Sequence, residues 1–220
     1  MNKHFYTLFF AALLLAGCTQ NEELHPSSGD APVLQHTGES MPLDEFMLWT
    51  ADATHGLVKA KEMSDISYNL SYMPSQYMAC LELKGTDYTK EELEKASTHY
   101  AAMSYFNFRI SIPKSSGELL KYELGSAAEY NDRIGYMSFR MEKDLFLVQG
   151  KDTLYPGLFH FERIYEIAPY ATVMLAFDNE KFSRDKEFTI VYNDALFHKG
   201  YIKYSYRPKQ LIDLPSISGV

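Results

Sequence analysis

The amino-acid sequence predicts an α+β fold, mainly an antiparallel β-sheet or sandwich with two or three helices in its first half. Three observations carry that prediction. From Leu145 to Tyr206, short segments of strand character follow one another closely, and strands joined by short turns pair antiparallel most easily. Two Ser/Thr-x-x-Glu patterns, Thr89-Lys90-Glu91-Glu92 and Ser126-Ala127-Ala128-Glu129, mark helix starts ahead of that run. The composition, 46% apolar and 15% aromatic over 220 residues, supports one sizeable core.

Taken in order, residues 43–49 begin the folded body, and 57–63 and 66–73 read as extended. In the second of these Ile66, Tyr68, Leu70 and Tyr72 alternate with Ser67, Asn69 and Ser71, and Pro74 ends it. Residues 75–84 admit a buried strand over 77–83 or a short helix capped by Ser75 and closed by Gly85. The mostly helix-forming interior favours the helix. The Thr89 capping box opens a helix with Leu93, Ala96, Tyr100 and Met103 on one face. Residues 105–112 form the clearest strand: Phe106, Phe108, Ile110 and Ile112 point one way, Tyr105, Asn107, Arg109 and Ser111 the other, and Pro113 stops it. The Ser126 box opens a helix striped by Tyr130, Ile134, Met137 and Met141, with Gly135 weakening it by about 1 kcal/mol relative to Ala. Strands follow over 145–149, 153–155, 158–167, 171–177, 188–192 and 200–206. Gly150-Lys151-Asp152 joins the first two, and the apolar run 173–177 suits a central strand. No repeat of fixed period is visible.

Charge and cysteine usage narrow the functional classes. With 21 basic and 29 acidic residues the formal net charge is −8. No basic stripe stands out, so phosphate backbones and acidic polysaccharides are disfavoured as partners. The two cysteines are Cys18 and Cys80. Cys80 lies in the apolar stretch 77–81, where a thiol behaves as a small buried hydrophobe.

The N-terminus reads as a targeting segment. Lys3 precedes an apolar run over 5–16 that is shorter than the about 20 residues a membrane-spanning helix needs. It ends in Leu15-Ala16-Gly17-Cys18. This ending resembles the lipobox of bacterial lipoproteins, of the Bacteroidetes type in its general style. The resemblance implies a signal peptide over 1–17, cleavage before Cys18 and lipidation of Cys18. Several acyl chains on one residue anchor a protein stably. Thr19, in place of Asp, implies the outer membrane, and Glu22-Glu23 is similar to surface-export signals. Residues 18–42, rich in Ser, Gly, Pro and charge, read as a tether whose span is about 25–30 Å. Residues 43–220 then form a single α+β domain.

No HExxH, Gly-x-Ser-x-Gly, P-loop, GxGxxG or paired-cysteine pattern is present, and no motif implies a cofactor. The best local cluster is His160, Glu162 and Arg163. On a strand, His160 and Glu162 share a face about 6.5–7 Å apart, a spacing that suits two metal ligands or an acid and a base, or simply a solvated face. Asp178-Asn179-Glu180 reads as a turn with oxygen ligands for Ca²⁺ in reach. Asp194 and His198 read as a polar loop beside Tyr192 and Tyr201. The 17 tyrosines and Trp49 would form a stacking platform for sugars or proteins if exposed together, and a core if not. The sequence therefore predicts a lipid-anchored envelope protein, a non-enzymatic binding or accessory subunit of an outer-membrane or surface assembly with a protein or glycan partner. The alternative is a lipid-anchored hydrolase of envelope or external glycan or peptide.

Overall fold

The computed structural model describes residue 38 and residues 40–114, 117–162 and 168–218. The signal segment, the lipobox with Cys18, most of the tether and Arg163 lie outside the described residues.

Two antiparallel sheets face each other across an aromatic core. The first is five-stranded and contains β2 (Val58–Met63), β3 (Ile66–Met73), β4 (Met103–Ser111), β7 (Leu158–Glu162) and β8 (Tyr170–Asp178), in the order β2-β3-β4-β8-β7. The second contains β5 (Leu145–Gln149), β6 (Asp152–Leu154), β9 (Phe188–Asp194) and β10 (Gly200–Tyr206), in the order β10-β9-β5-β6. A short parallel pair joins β1 (Ser40–Met41) to β11 (Ser216–Ile217). The helices are α1 (Leu43–Ala51), α2 (Ser75–Leu83), α3 (Lys90–Tyr100), α4 (Ala127–Phe139) and α5 (Pro208–Ile212).

The period-two alternation seen in the sequence decides what each sheet buries. Tyr68 and Leu70 of β3, Phe106, Phe108 and Ile110 of β4, and Val173, Leu175 and Phe177 of β8 point inward. They meet Leu145, Leu147, Phe188, Ile190, Tyr192, Tyr204 and Tyr206 of the second sheet. Edge-to-face ring pairs such as Phe108–Tyr192, with centroids 5.1 Å apart, tie the layers together. Two buried hydroxyls are satisfied across the same gap, while that of Tyr192 has no hydrogen-bond partner among the described residues. Tyr204 donates to the Tyr68 carbonyl at 2.9 Å, and Tyr206 donates to the Leu57 carbonyl at 3.1 Å. Tyrosine here is a core residue whose polar tip holds the opposite layer.

Most predicted elements fall in place. β8 sits between β4 and β7, as its two apolar faces require. β5 and β6 form a hairpin with Gln149 opposite Asp152, and Gly150 takes the left-handed conformation (φ 62°) that the turn needs. Residues 75–83 are helical, but Pro74 occupies the cap position without a side-chain bond, so Ser75 is the first helical residue and not the cap. The Thr89 box is complete, with Thr89 N–H donating to Glu92 at 2.8 Å and Glu92 N–H to the Thr89 hydroxyl at 3.3 Å. The Ser126 box is half formed, because the Glu129 carboxylate accepts from Gly125 N–H at 2.9 Å and from Arg133 at 2.6 Å. Met103, placed on the α3 stripe by spacing, instead opens β4. The Asn179 carboxamide donates to the Ala101 carbonyl at 2.8 Å and stops the helix there.

A second, smaller apolar cluster joins the helices. Ala79 and Cys80 of α2 and Leu93 of α3 are buried there, with Leu43 and Met47 of α1 and Ile217 of β11 against them. α5 is anchored separately. Gln210 is buried, and its side-chain amide lies against Gly56, whose left-handed backbone (φ 76°) closes a 3₁₀ turn.

Candidate functional site

The outward face of the five-stranded sheet carries the candidate site. Along β3 the outward residues include Asn69 and Ser71; along β4 they include Asn107 and Arg109. Register places Asn69 opposite Arg109 and Ser71 opposite Asn107, so the four form a two-by-two polar patch. Directly paired side chains on one face of a sheet have Cβ atoms about 4.5–5.5 Å apart, close enough to share one ligand. The helical layer stops short of this patch and leaves a crevice of about 300 Å³. Thr50 and Ala51 at the end of α1, Tyr77 of α2 and Val58 of the edge strand form its walls. Burial pushes the Tyr77 hydroxyl above its ordinary pKa, so it stays a neutral hydrogen-bonding group.

Arg109 is the charged member. Its guanidinium lies over the Tyr170 ring at 4.2 Å from the centroid, and no ion pair joins it to a carboxylate among the described residues. Two other buried or surface arginines are paired: Arg133 with Glu129 at 2.6 Å and Arg140 with Asp132 at 2.7 Å. Among the described residues lining the crevice there is no Asp, Glu, His, Lys or Cys. The site therefore presents amide, hydroxyl and guanidinium groups, which recognise ligands by hydrogen bonding.

His160 and Glu162 share one face of β7, as their spacing implied, and both are exposed. His160 is paired to Met174 and Glu162 to Thr172. Met174 in turn faces Asn107, and Thr172 faces Arg109. The pair thus lies in the same two cross-strand rows as the crevice floor, two strands away, about 10 Å at ordinary strand spacing. Among the described residues no three His, Cys, Asp or Glu side chains gather as metal ligands.

The remaining polar candidates have structural partners. Asp178 accepts from the Glu180 N–H at 2.9 Å and lies 3.6 Å from Lys181, closing a turn. Asp194 is no loop residue in solvent: it is 3% exposed and accepts from the backbone N–H of Leu196, Phe197 and Lys199, each at 3.1 Å. His198 is exposed and holds a left-handed backbone (φ 58°) in that turn. Among the described residues the tyrosines form no platform: Tyr68, Tyr72, Tyr136, Tyr192, Tyr204 and Tyr206 are buried, and the exposed Tyr155 and Tyr201 lie on different strands or turns of the second sheet. Trp49 stacks on His55 with centroids 4.1 Å apart. Cys80 is buried, its thiol pushed up to about 11 by burial, which suppresses the reactive thiolate.

In the sequence the crevice residues show only as the polar half of strand alternation. Asn-x-Ser on β3 and Asn-x-Arg on β4 are polar residues of two strands whose other faces are mostly apolar or aromatic. Only the register shows that they meet. No family model, curated protein or solved structure matches this chain.

Proposed function

We propose that this protein is a lipid-anchored module of the cell envelope that binds a small ligand in the crevice above the five-stranded sheet. Acyl chains on Cys18 hold it at the outer membrane, facing the periplasm or the cell surface. The observation that carries the binding role is the polar patch of Asn69, Ser71, Asn107 and Arg109, set in a walled crevice with no carboxylate among its described lining residues. Support for the anchor comes from the sequence 3–18, with its charged start, short apolar run and terminal Leu-Ala-Gly-Cys. No helix among the described residues is long and apolar enough to cross a membrane.

Two measurements test this reading. The full chain, expressed in a lipoprotein-processing bacterium and fed labelled palmitate, takes up label and fractionates with membranes, whereas Cys18→Ala does neither. A labelled, membrane-bound Cys18→Ala protein would sink the anchor. For the crevice, small molecules released on denaturing the purified wild type are compared with those from Ser71→Trp, which fills the space. A species carried by the wild type and missing from Ser71→Trp is expected; identical profiles would remove the crevice as the site.

A further inference from the structure

We propose that the ligand of this crevice bears a carboxylate, held by Arg109 and by the amides beside it. The inference rests on the crevice being the binding site and specifies the chemistry it takes.

The Arg109 guanidinium is planar, permanently charged and lies over the Tyr170 ring at 4.2 Å from its centroid. This cation–π contact restricts the guanidinium, so less freedom is lost when its N–H groups bind. A planar carboxylate matches that fork with two parallel hydrogen bonds. Register puts Asn69 directly opposite Arg109, with Asn107 next along the same face. Asn69 donates one N–H to the Ser67 hydroxyl at 3.0 Å, and Ser67 donates to Glu62 at 2.6 Å. This chain orients the Asn69 amide and places the Glu62 carboxylate behind Ser67, two residues along the strand from the crevice floor.

Charge selects the kind of anion. The described lining contains one cation and no carboxylate, in a chain of net charge −8. A single cation in a negative overall field favours a monovalent carboxylate over a phosphate dianion, which needs several donors of positive charge. Size sets the remainder: about 300 Å³ is at the lower end of ligand pockets. That suits a single sugar or amino-acid unit, whose hydroxyl or amide groups would meet Asn107, Ser71 and the Tyr77 hydroxyl. The carboxylate belongs either to a sugar acid or to a peptide C-terminus, and the shared group is what Arg109 reads.

The test is calorimetric titration of the full-length Cys18→Ala chain with D-glucuronate and N-acetyl-L-alanine, each beside its neutral counterpart, D-glucose and N-acetyl-L-alanine amide. At least one acid binds saturably below about 10 mM, a concentration at which a ligand with Kd of about 1 mM is mostly bound. The neutral counterpart binds roughly tenfold or more weakly, and Arg109→Gln lowers the acid's affinity by roughly ten- to a hundredfold. Arg109 is exposed, so this variant keeps its melting temperature. Arg140→Gln, which removes a paired surface arginine on another element, leaves binding unchanged. Binding of glucuronate alone identifies a sugar acid, and of N-acetyl-L-alanine alone a peptide carboxyl. Failure of both acids to bind, equal binding of acid and neutral forms, or undiminished binding by Arg109→Gln overturns the proposal. Equal binding of the neutral form that Ser71→Trp abolishes would overturn the carboxylate while leaving the crevice as the site.

Discussion

The Tyr68 hydroxyl donates to the Asp194 carboxylate at 2.7 Å, joining the middle of one sheet to the end of a strand in the other. The same carboxylate gathers three backbone N–H groups of the turn between β9 and β10. One buried side chain therefore fixes both the turn and the separation of the layers. Tyr68→Phe removes one hydrogen bond to a charged group and should cost about 1.5–3 kcal/mol. Asp194→Ala leaves three N–H groups without their acceptor and should cost more. Urea denaturation of the two variants checks this; a Tyr68→Phe protein as stable as the wild type would show that the bond contributes nothing net.

Alkali should unfold the protein through its core tyrosines. Burial, before any other cause, raises Tyr68, Tyr192, Tyr204 and Tyr206 above the ordinary value of 10.0. The folded state thus favours the neutral phenol. Its contribution is complete below pH 10 and is lost as pH rises from there towards the raised folded values. Unfolding free energy measured across this range should fall steeply, with phenolate absorbance appearing only as the chain unfolds. A stability curve that stays flat on crossing pH 10 contradicts this account.

Gly56 should not tolerate a side chain. Its φ of 76° is costly for any L-residue, and a Cβ would run into the Gln210 amide. Gln210 cannot retreat easily, since it is buried and its carbonyl oxygen accepts from Arg207 N–H at 2.8 Å. Gly56→Ala should cost about 1–3 kcal/mol and loosen α5, which hydrogen exchange at 208–212 would reveal. Unchanged exchange there would mean that the contact is not needed to hold the helix.

Cys80 should be silent in the native state. Its thiol, pushed up to about 11 by burial between α2 and α3, should react with a disulfide reagent only at the rate of unfolding. Cys80→Ser buries a hydroxyl in an apolar setting and should cost about 1–3 kcal/mol, with Cys80→Ala losing less. Rapid labelling of the folded protein would show that the helical cluster opens on its own.

The sheets were legible because their residues obey a period of two with few exceptions. Phe106, Phe108, Ile110 and Ile112 are all buried, as their alternation implied. Helix α3 was legible through its capping box, a signal local to four residues. What escaped were features made by distant segments. β1 and β11 are two residues each and carry no periodicity; they exist because residues 40–41 and 216–217 meet beside α3. α5 is one turn and a half, beginning at Pro208, and is held by Gln210 reaching back to Gly56. The burial of Asp194 depends on a hydroxyl 126 positions away. The crevice escaped for the same reason: Asn69 and Arg109 are unremarkable singly and become a site when β3 and β4 align.

The pairing of β1 with β11 also has a mechanical meaning. A pull on the chain ahead of Ser40 enters the fold at β1, where the first resistance is the C-terminal strand, with Ser218 N–H donating to the Met41 carbonyl at 2.8 Å. The strands run parallel, so tension along their axis loads this contact in shear rather than peeling it open bond by bond. Behind it stands Phe46 of α1, fully enclosed, as the next point of purchase. Residues 216–218 thus stand between a pull arriving ahead of Ser40 and the sheets.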